Sequence, residues 1–225
     1  MPMRTETDFS IKRMKTKLCL LAAALLGASA VTGAAQTVYS VNAVGFVNVV
    51  IPAGPNSFTI IANPLNAADN SVAALFPSVP AGSAIYTFNG TSFVANNRGF
   101  SAWSNPTQTL VPGQAFFFKN PSASAITNTF VGEVPQGTLT TPLSAGFQLV
   151  SSQVPQSGLV TTDLGMPATT GEAVYRFVNG AYQSFNRGFG TSWSPSEPTV
   201  QVGEGFFVKK NASPAAWVRT FSVNN

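Results

Sequence analysis

The chain states one pattern twice. Residues 85–119, IYTFNGTSFVANNRGFSAWSNPTQTLVPGQAFFFK, are largely rewritten over residues 174–209. Tyr86 and Phe88 recur as Tyr175 and Phe177, Asn97-Arg98-Gly99-Phe100 as Asn186-Arg187-Gly188-Phe189, and Trp103-Ser104 as Trp193-Ser194. Gly113, Phe116, Phe117 and Lys119 recur as Gly203, Phe206, Phe207 and Lys209. The separation is 89 residues at Tyr86 and 90 at Lys119, with one slip between Phe100 and Trp103. A register kept that closely is an internal repeat. With no flexible linker between the copies, it predicts two like units packed closely.

What precedes the repeat reads as a leader. Lys12, Arg13, Lys15 and Lys17 form a basic start, residues 18–26 a short apolar run, and small residues follow, with cleavage options after Ala30 or Ala35. Cleavage after Ala35 starts the mature chain at Gln36, directly before the first strand-like segment, and Met14 offers a true start. Residues 1–35 are accordingly a signal peptide, and the mature chain carries no transmembrane helix. Cys19, the sole cysteine, leaves with the leader, and there is no histidine, so core burial and not a disulfide must stabilise the fold. Five of the 12 basic residues and two of the 8 acidic ones leave as well, so the mature chain carries a net charge of +1. That balance leaves no electrostatic footprint for nucleic acid. A mature chain of about 190 residues is long enough to bury roughly 70% of its unfolded surface.

Val, Phe, Ser, Thr, Asn, Gly and Pro dominate, which suits an exported all-β protein. Residues 38–51, VYSVNAVGFVNVVI, predict one long strand, or two broken by a bulge at Gly45. Residues 58–63 and 147–152 predict a matched strand in each copy, and residues 70–76 and 159–164 the only helical turns. Asn89-Gly90 and Asn179-Gly180 each lie between alternating runs and predict a two-residue type I′ hairpin. Alternation puts Tyr86 with Phe88, and Tyr175 with Phe177, on an expected core face, leaving Ile85 and Thr87, or Val174 and Arg176, for solvent. Phe116-Phe117 and Phe206-Phe207 need cover on both faces, as between packed sheets or at the seam of the copies. FVGEV at residues 130–134 resembles VGFV at 44–47, so the last strand of copy one is expected to run on as the first of copy two.

The order FTIIANP, IYTFNG and PGQAFFFK over residues 58–64, 85–90 and 112–119 resembles a poorly characterised β-domain of bacterial secreted and surface proteins. Its motifs read "NLIxNP", a "Y-x-aromatic-NG" hairpin and "PGxG-aromatic-aromatic-V-K". The second copy matches with VNG and VGEGFFVK but departs at Ser151-Ser152-Gln153. The resemblance implies export and a β-fold and no known reaction.

Without His or Cys in the mature chain, neither a Ser-His-Asp triad nor the usual zinc ligand set forms, so no catalytic residue, metal or cofactor is expected. The acids Asp69, Glu133, Asp163, Glu172, Glu197 and Glu204 are not matched between copies and read as solvated loop charge. The candidate ligand site is therefore a polar-aromatic set present twice: Asn97, Arg98 and Trp103, and Asn186, Arg187 and Trp193. The indoles offer flat apolar surfaces and the Asn and Arg groups donors for hydroxyls, although tryptophans in small β-domains more often anchor a core or loop. Asn89-Gly90-Thr91 and Asn211-Ala212-Ser213 match the glycosylation pattern, and no glycan is assigned.

The reading is thus all-β, with two pseudo-repeated small β-sandwich or barrel-like domains, residues 36–132 and 133–225, after the signal peptide. The expected role is a non-enzymatic surface or extracellular matrix module in the periplasm, at the cell surface or outside the cell. Its partners would be a glycan, a cell-surface protein or a second copy, the last through the apolar edge of residues 38–51. The alternatives are a carbohydrate-binding protein using the paired Trp and Arg sites and an outer-membrane barrel, for which most strands look too short.

Overall fold

The computed structural model describes residues 43–54, 57–211 and 215–223. The leader, its cleavage options, the strand residues before Ala43 and two residues of the Asn211-Ala212-Ser213 pattern lie outside them. The described chain is all-β apart from one helical turn, its sheets are antiparallel, and none closes into a barrel.

The first half runs β1 Val44–Ile51, β2 Ser57–Ala62, α1 Val72–Leu75, β3 Ala84–Phe88, β4 Phe93–Asn97, β5 Ala115–Asn120 and β6 Ile126–Glu133. The second runs β7 Gly137–Leu143, β8 Gly146–Val150, β9 Gly158–Leu159, β10 Ala173–Val178, β11 Ala181–Arg187, β12 Trp193–Ser194, β13 Thr199–Val200, β14 Phe206–Lys210 and β15 Ala215–Phe221. One sheet has the order β2-β5-β3-β4 and the other β8-β14-β10-β11-β12, with β1·β6, β7·β15 and β9·β13 as two-stranded ribbons. The registers correspond: Ile85 lies opposite Phe118 and Tyr86 opposite Phe117, as Val174 lies opposite Val208 and Tyr175 opposite Phe207.

Each sheet is apolar on both faces, because one face packs on its own half and the other on the opposite half. Ile85, Phe116 and Phe118 enter the core of the first half with Ile51, Phe76, Trp103 and Phe130. Val174, Phe206 and Val208 enter that of the second with Leu143, Leu164 and Trp217. Phe117 and Phe207 point the other way, into a third cluster with Ile60, Ala62, Ala115 and Leu149, flanked by Tyr86, Phe88, Tyr175 and Phe177. The adjacent phenylalanines thus obtain cover on both faces, one ring in a half's own core and one at the seam. The solvent face expected for Ile85 and Val174 is corrected. Both are fully buried, while Tyr86, Phe88, Tyr175 and Phe177 are half-buried at the seam. Alternation separates two faces but does not say which faces a neighbouring sheet.

The Asn-Gly pairs behave differently. In the second half Val178 pairs with Ala181 and both turn residues have positive φ, 52° at Asn179 and 79° at Gly180, as a type I′ hairpin requires. In the first half Phe88 pairs with Phe93, leaving a four-residue loop in which Asn89 Oδ1 accepts the N–H groups of Thr91 and Ser92 at 3.0 and 2.8 Å. The ring pairs Phe88–Phe93 and Phe177–Tyr182, with centroids 5.1 and 5.0 Å apart, hold the strands in equivalent register. Asn89-Gly90 sits one step closer to its ring than Asn179-Gly180 does, so it becomes a side-chain-braced turn.

Of the two alternatives for the first strand, the described residues take the unbroken one, since Gly45 pairs one-to-one with Gly132 in a continuous ladder. One further expectation is corrected. β6 does not run on into β7, because residues 134–136, with Pro135 at their centre, separate them. Residues 70–76 form α1 and its loop, and residues 160–164 a single turn closed by Leu164 N–H to Leu159 O at 3.0 Å.

The halves also exchange backbone bonds. Ala62 N–H donates to Gly203 O at 2.9 Å and Ser151 N–H to Gly113 O at 3.0 Å, so the loop entering β14 caps β2 and the loop entering β5 caps β8. Gly113 (φ 92°) and Gly203 (φ 75°) take a left-handed conformation here, and a Cβ on either would meet the opposite half at 2.8 Å (Gln153) or 2.6 Å (Val49). Nearby, Gly205 and Ala115 face each other so closely that a Cβ on Gly205 would lie 2.4 Å from that of Ala115.

Candidate functional site

The six residues singled out in the sequence do not form two like platforms. Trp103 is 5% exposed, packs edge-on to Phe76 at 6.4 Å, and donates its indole N–H to Phe76 O at 3.3 Å. It is a core residue of the first half. Trp193 is half-buried, with the Arg187 guanidinium 5.4 Å above its ring, and Arg187 Nη1 donates to Thr191 O at 2.6 Å. Arg98 is half-buried and bridges Trp103 through the backbone, and Asn97 and Asn186 are exposed strand residues.

The interior role of Trp103 is taken in the second half by Trp217. Its N–H donates to Leu164 O at 2.8 Å, at the end of the turn equivalent to α1. Ile51 ends its ladder opposite Ile126 and Leu143 opposite Ala215, so Trp217 stands where the first half has Asn128. Each half places one fully packed indole beneath its turn. In the second half the indole comes from β15, and Trp193 packs at the core margin.

Glu172, Glu197 and Glu204 are not solvated loop charges, which corrects the reading for these three, whereas Asp69, Glu133 and Asp163 are exposed. Glu172 is 4% exposed and pairs with Lys210, 38 residues away. Burial pushes its carboxyl up, but the Lys210 ammonium and the N–H groups of Thr169 and Asn211 outweigh it and hold the pKa below the ordinary value. Glu204 grips Arg176 with two bonds, 2.6 and 2.9 Å. Glu197 accepts the N–H groups of Thr161 and Thr162 at 2.6 and 2.8 Å, and these bonds with those from the two hydroxyls outweigh burial and lower its pKa. Asp163 accepts Leu159 N–H and Asp69 accepts Ser71 N–H. These carboxylates are committed to holding loops and strands. Among the described residues no group of three His, Cys, Asp or Glu is placed to hold a metal ion.

The feature with the character of a binding site lies at the edge of the seam. Phe58, Tyr86, Phe93, Phe117, Phe177 and Tyr182 line a groove of about 400 Å³ without a charged side chain. Phe117 forms its floor at 7% exposure, while Phe58, Phe93 and Tyr182 are 37, 46 and 52% exposed. Four residues come from the first half and two, Phe177 and Tyr182, from the second, so the groove requires both. The rings meet edge-on: Phe117–Phe177 at 5.1 Å and 82°, Phe93–Phe117 at 5.6 Å and 70°, Phe58–Phe117 at 6.3 Å and 82°. Such contacts contribute about 0.5–1.5 kcal/mol each beyond area burial and pre-set the walls. Partial burial raises the Tyr182 phenol above its ordinary pKa, so it stays a neutral donor.

The same geometry recurs across the seam. Phe88–Phe207 at 5.4 Å and 80° mirrors Phe177–Phe117, and Phe147–Phe207 at 6.3 Å and 84° mirrors Phe58–Phe117. Sequence reasoning put Tyr86, Phe88, Tyr175 and Phe177 on a core face and foresaw cover between sheets or at the seam for Phe117 and Phe207, but it did not bring Phe58, Phe93 or Tyr182 to them. The signal that could have found the groove is the repeated aromatic content of both faces of one strand pair.

Comparison with known proteins finds no matching family model, no matching curated protein and no matching solved structure.

Proposed function

We propose that this chain is an exported, non-enzymatic binding module of the cell surface or matrix whose contact site is the aromatic groove at the seam, and that its ligand is a neutral glycan. The observation that carries the reading is the six-ring lining without a charge, half of it open to solvent. Aromatic faces bury the C–H surface of a sugar ring, and tyrosines add a polar handle for its hydroxyls. Rings already locked edge-to-face lose little freedom on binding. The leader read in the sequence supports export, and the resemblance to secreted and surface β-domains supports the setting.

The test is a broad glycan array probed with the exported chain and with a Phe93→Ser, Tyr182→Ser variant, both checked for folding by circular dichroism. Saturable binding to neutral glycans that is lost in the folded variant is the expected result. No binding by the parent chain overturns the glycan, and undiminished binding by the variant overturns the groove.

A further inference from the structure

We infer that the outer edge of β1 is an assembly surface for a second copy of this chain. Val134 N–H donates to Ala43 O at 2.8 Å, which sets the phase of the β1·β6 ladder. Antiparallel partners alternate between bonded and non-bonded pairs. Gly45, Val47, Val49 and Ile51 therefore bond to β6, and the backbone N–H and C=O groups of Val44, Phe46, Asn48 and Val50 face the other side. Among the described residues, β6 is the only strand paired with β1. The side chains of Val44, Phe46 and Val50 are 67, 69 and 61% exposed.

Unpaired edges are normally blunted by proline, charge or a bulge. β7, which occupies the equivalent place in the second half, follows that rule. Where β1 has Phe46, Asn48 and Val50, β7 has Thr138, Thr140 and Pro142, and Pro142 lacks the N–H that would face outward. β1 has no proline, no charge and an unbroken register over its 8 residues.

Its chemistry selects a copy of itself as the occupant. An uncharged strand meets its own kind without repulsion, and the mature chain's charge is near zero. Antiparallel pairing about Val47 sets Val44 opposite Val50 of the second copy and Phe46 opposite Asn48 of the second copy. That arrangement closes about eight hydrogen bonds, two per pair, and joins two ribbons into one four-stranded sheet.

The test is sedimentation of the exported chain over a wide concentration range beside Val50→Pro, which copies β7 and leaves the bonds to β6 intact. Phe46→Lys serves as a second variant that leaves the backbone untouched. The expected result is a concentration-dependent dimer for the parent, a monomer for both variants, and slowed exchange of the Phe46 and Asn48 amides in the parent dimer alone. A parent that stays monomeric, or a Phe46→Lys variant that dimerises as the parent does, overturns the inference. So does β1 protection that arises only when a different protein is added. Glycan binding is read separately on the groove variants, so either reading can fail alone.

Discussion

The two halves share strand order and register but satisfy their buried polar groups by different chemistry. In the first half neutral amides do it. Asn120 donates to Pro52 O and Ser124 O, each at 2.9 Å, and Asn96 donates to Asn105 O and Gln108 Oε1 at 2.7 and 2.8 Å. In the second half, the place of Ser83 and Asn120 holds the ion pair Glu172–Lys210. The N–H groups of Val72 and Ala73 go to the carbonyls of Gln108 and Pro106, whereas those of Thr161 and Thr162 go to the Glu197 carboxylate. One backbone plan therefore accepts neutral or charged solutions at equivalent points, and titration enters only where carboxylates do the work.

The sharpest way to break this pairing of halves is through the indoles. Trp103→Ala and Trp217→Ala should each cost about 3–5 kcal/mol in denaturant unfolding, since each empties a core, and Trp193→Ala about 1 kcal/mol. Equal losses for Trp193 and Trp217 would end the assignment of one packed indole per half. Next comes the ion pair. Lys210→Ala strands a buried carboxylate and should cost about 3–5 kcal/mol, against about 1–3 for Asn120→Ala. The double change Glu172→Ser, Lys210→Asn, which grafts in the first half's residues, should recover most of the loss, and its melting temperature reports whether it does.

The pH dependence follows in size. The folded pKa values of Glu172 and Glu197 are lowered, so their stabilisation is complete above the unfolded carboxylate value of about 4.3 and is lost as pH falls through the folded values. Thermal melts below about pH 4.3 should show the parent destabilised more steeply than the grafted double variant, and parallel curves would refute the division of labour. The smallest effect is at the seam. Gly205→Ala should cost about 1–3 kcal/mol by overpacking, and adding Ala115→Gly should restore only part of it, because the new methyl still meets Ile60 Cγ2 at 2.6 Å.

The all-β character, the strands and the second hairpin were legible because each is written in local periodicity or a local turn. The first hairpin was not, because Asn89-Gly90 carries the same letters as Asn179-Gly180 and the difference is one step relative to a cross-strand ring pair. Trp103 and Trp193 align as neighbours of Asn-Arg-Gly-Phe, yet their burial depends on what the distant strand, β6 or β15, brings beneath the turn. Glu172 and Lys210 are too far apart in sequence to announce each other. The groove was hidden for a related reason: Phe177 and Tyr182 complete it only after the two sheets have packed.

The methyl of Ala115 facing the bare Cα of Gly205 makes the two halves complementary instead of interchangeable. Two first halves meeting in this way would set methyl against methyl, and two second halves would leave a void. Unlike halves alone fill the spot. With a methyl on one side and a bare Cα on the other, the two halves fit each other at this point, and neither can stand in for the other there.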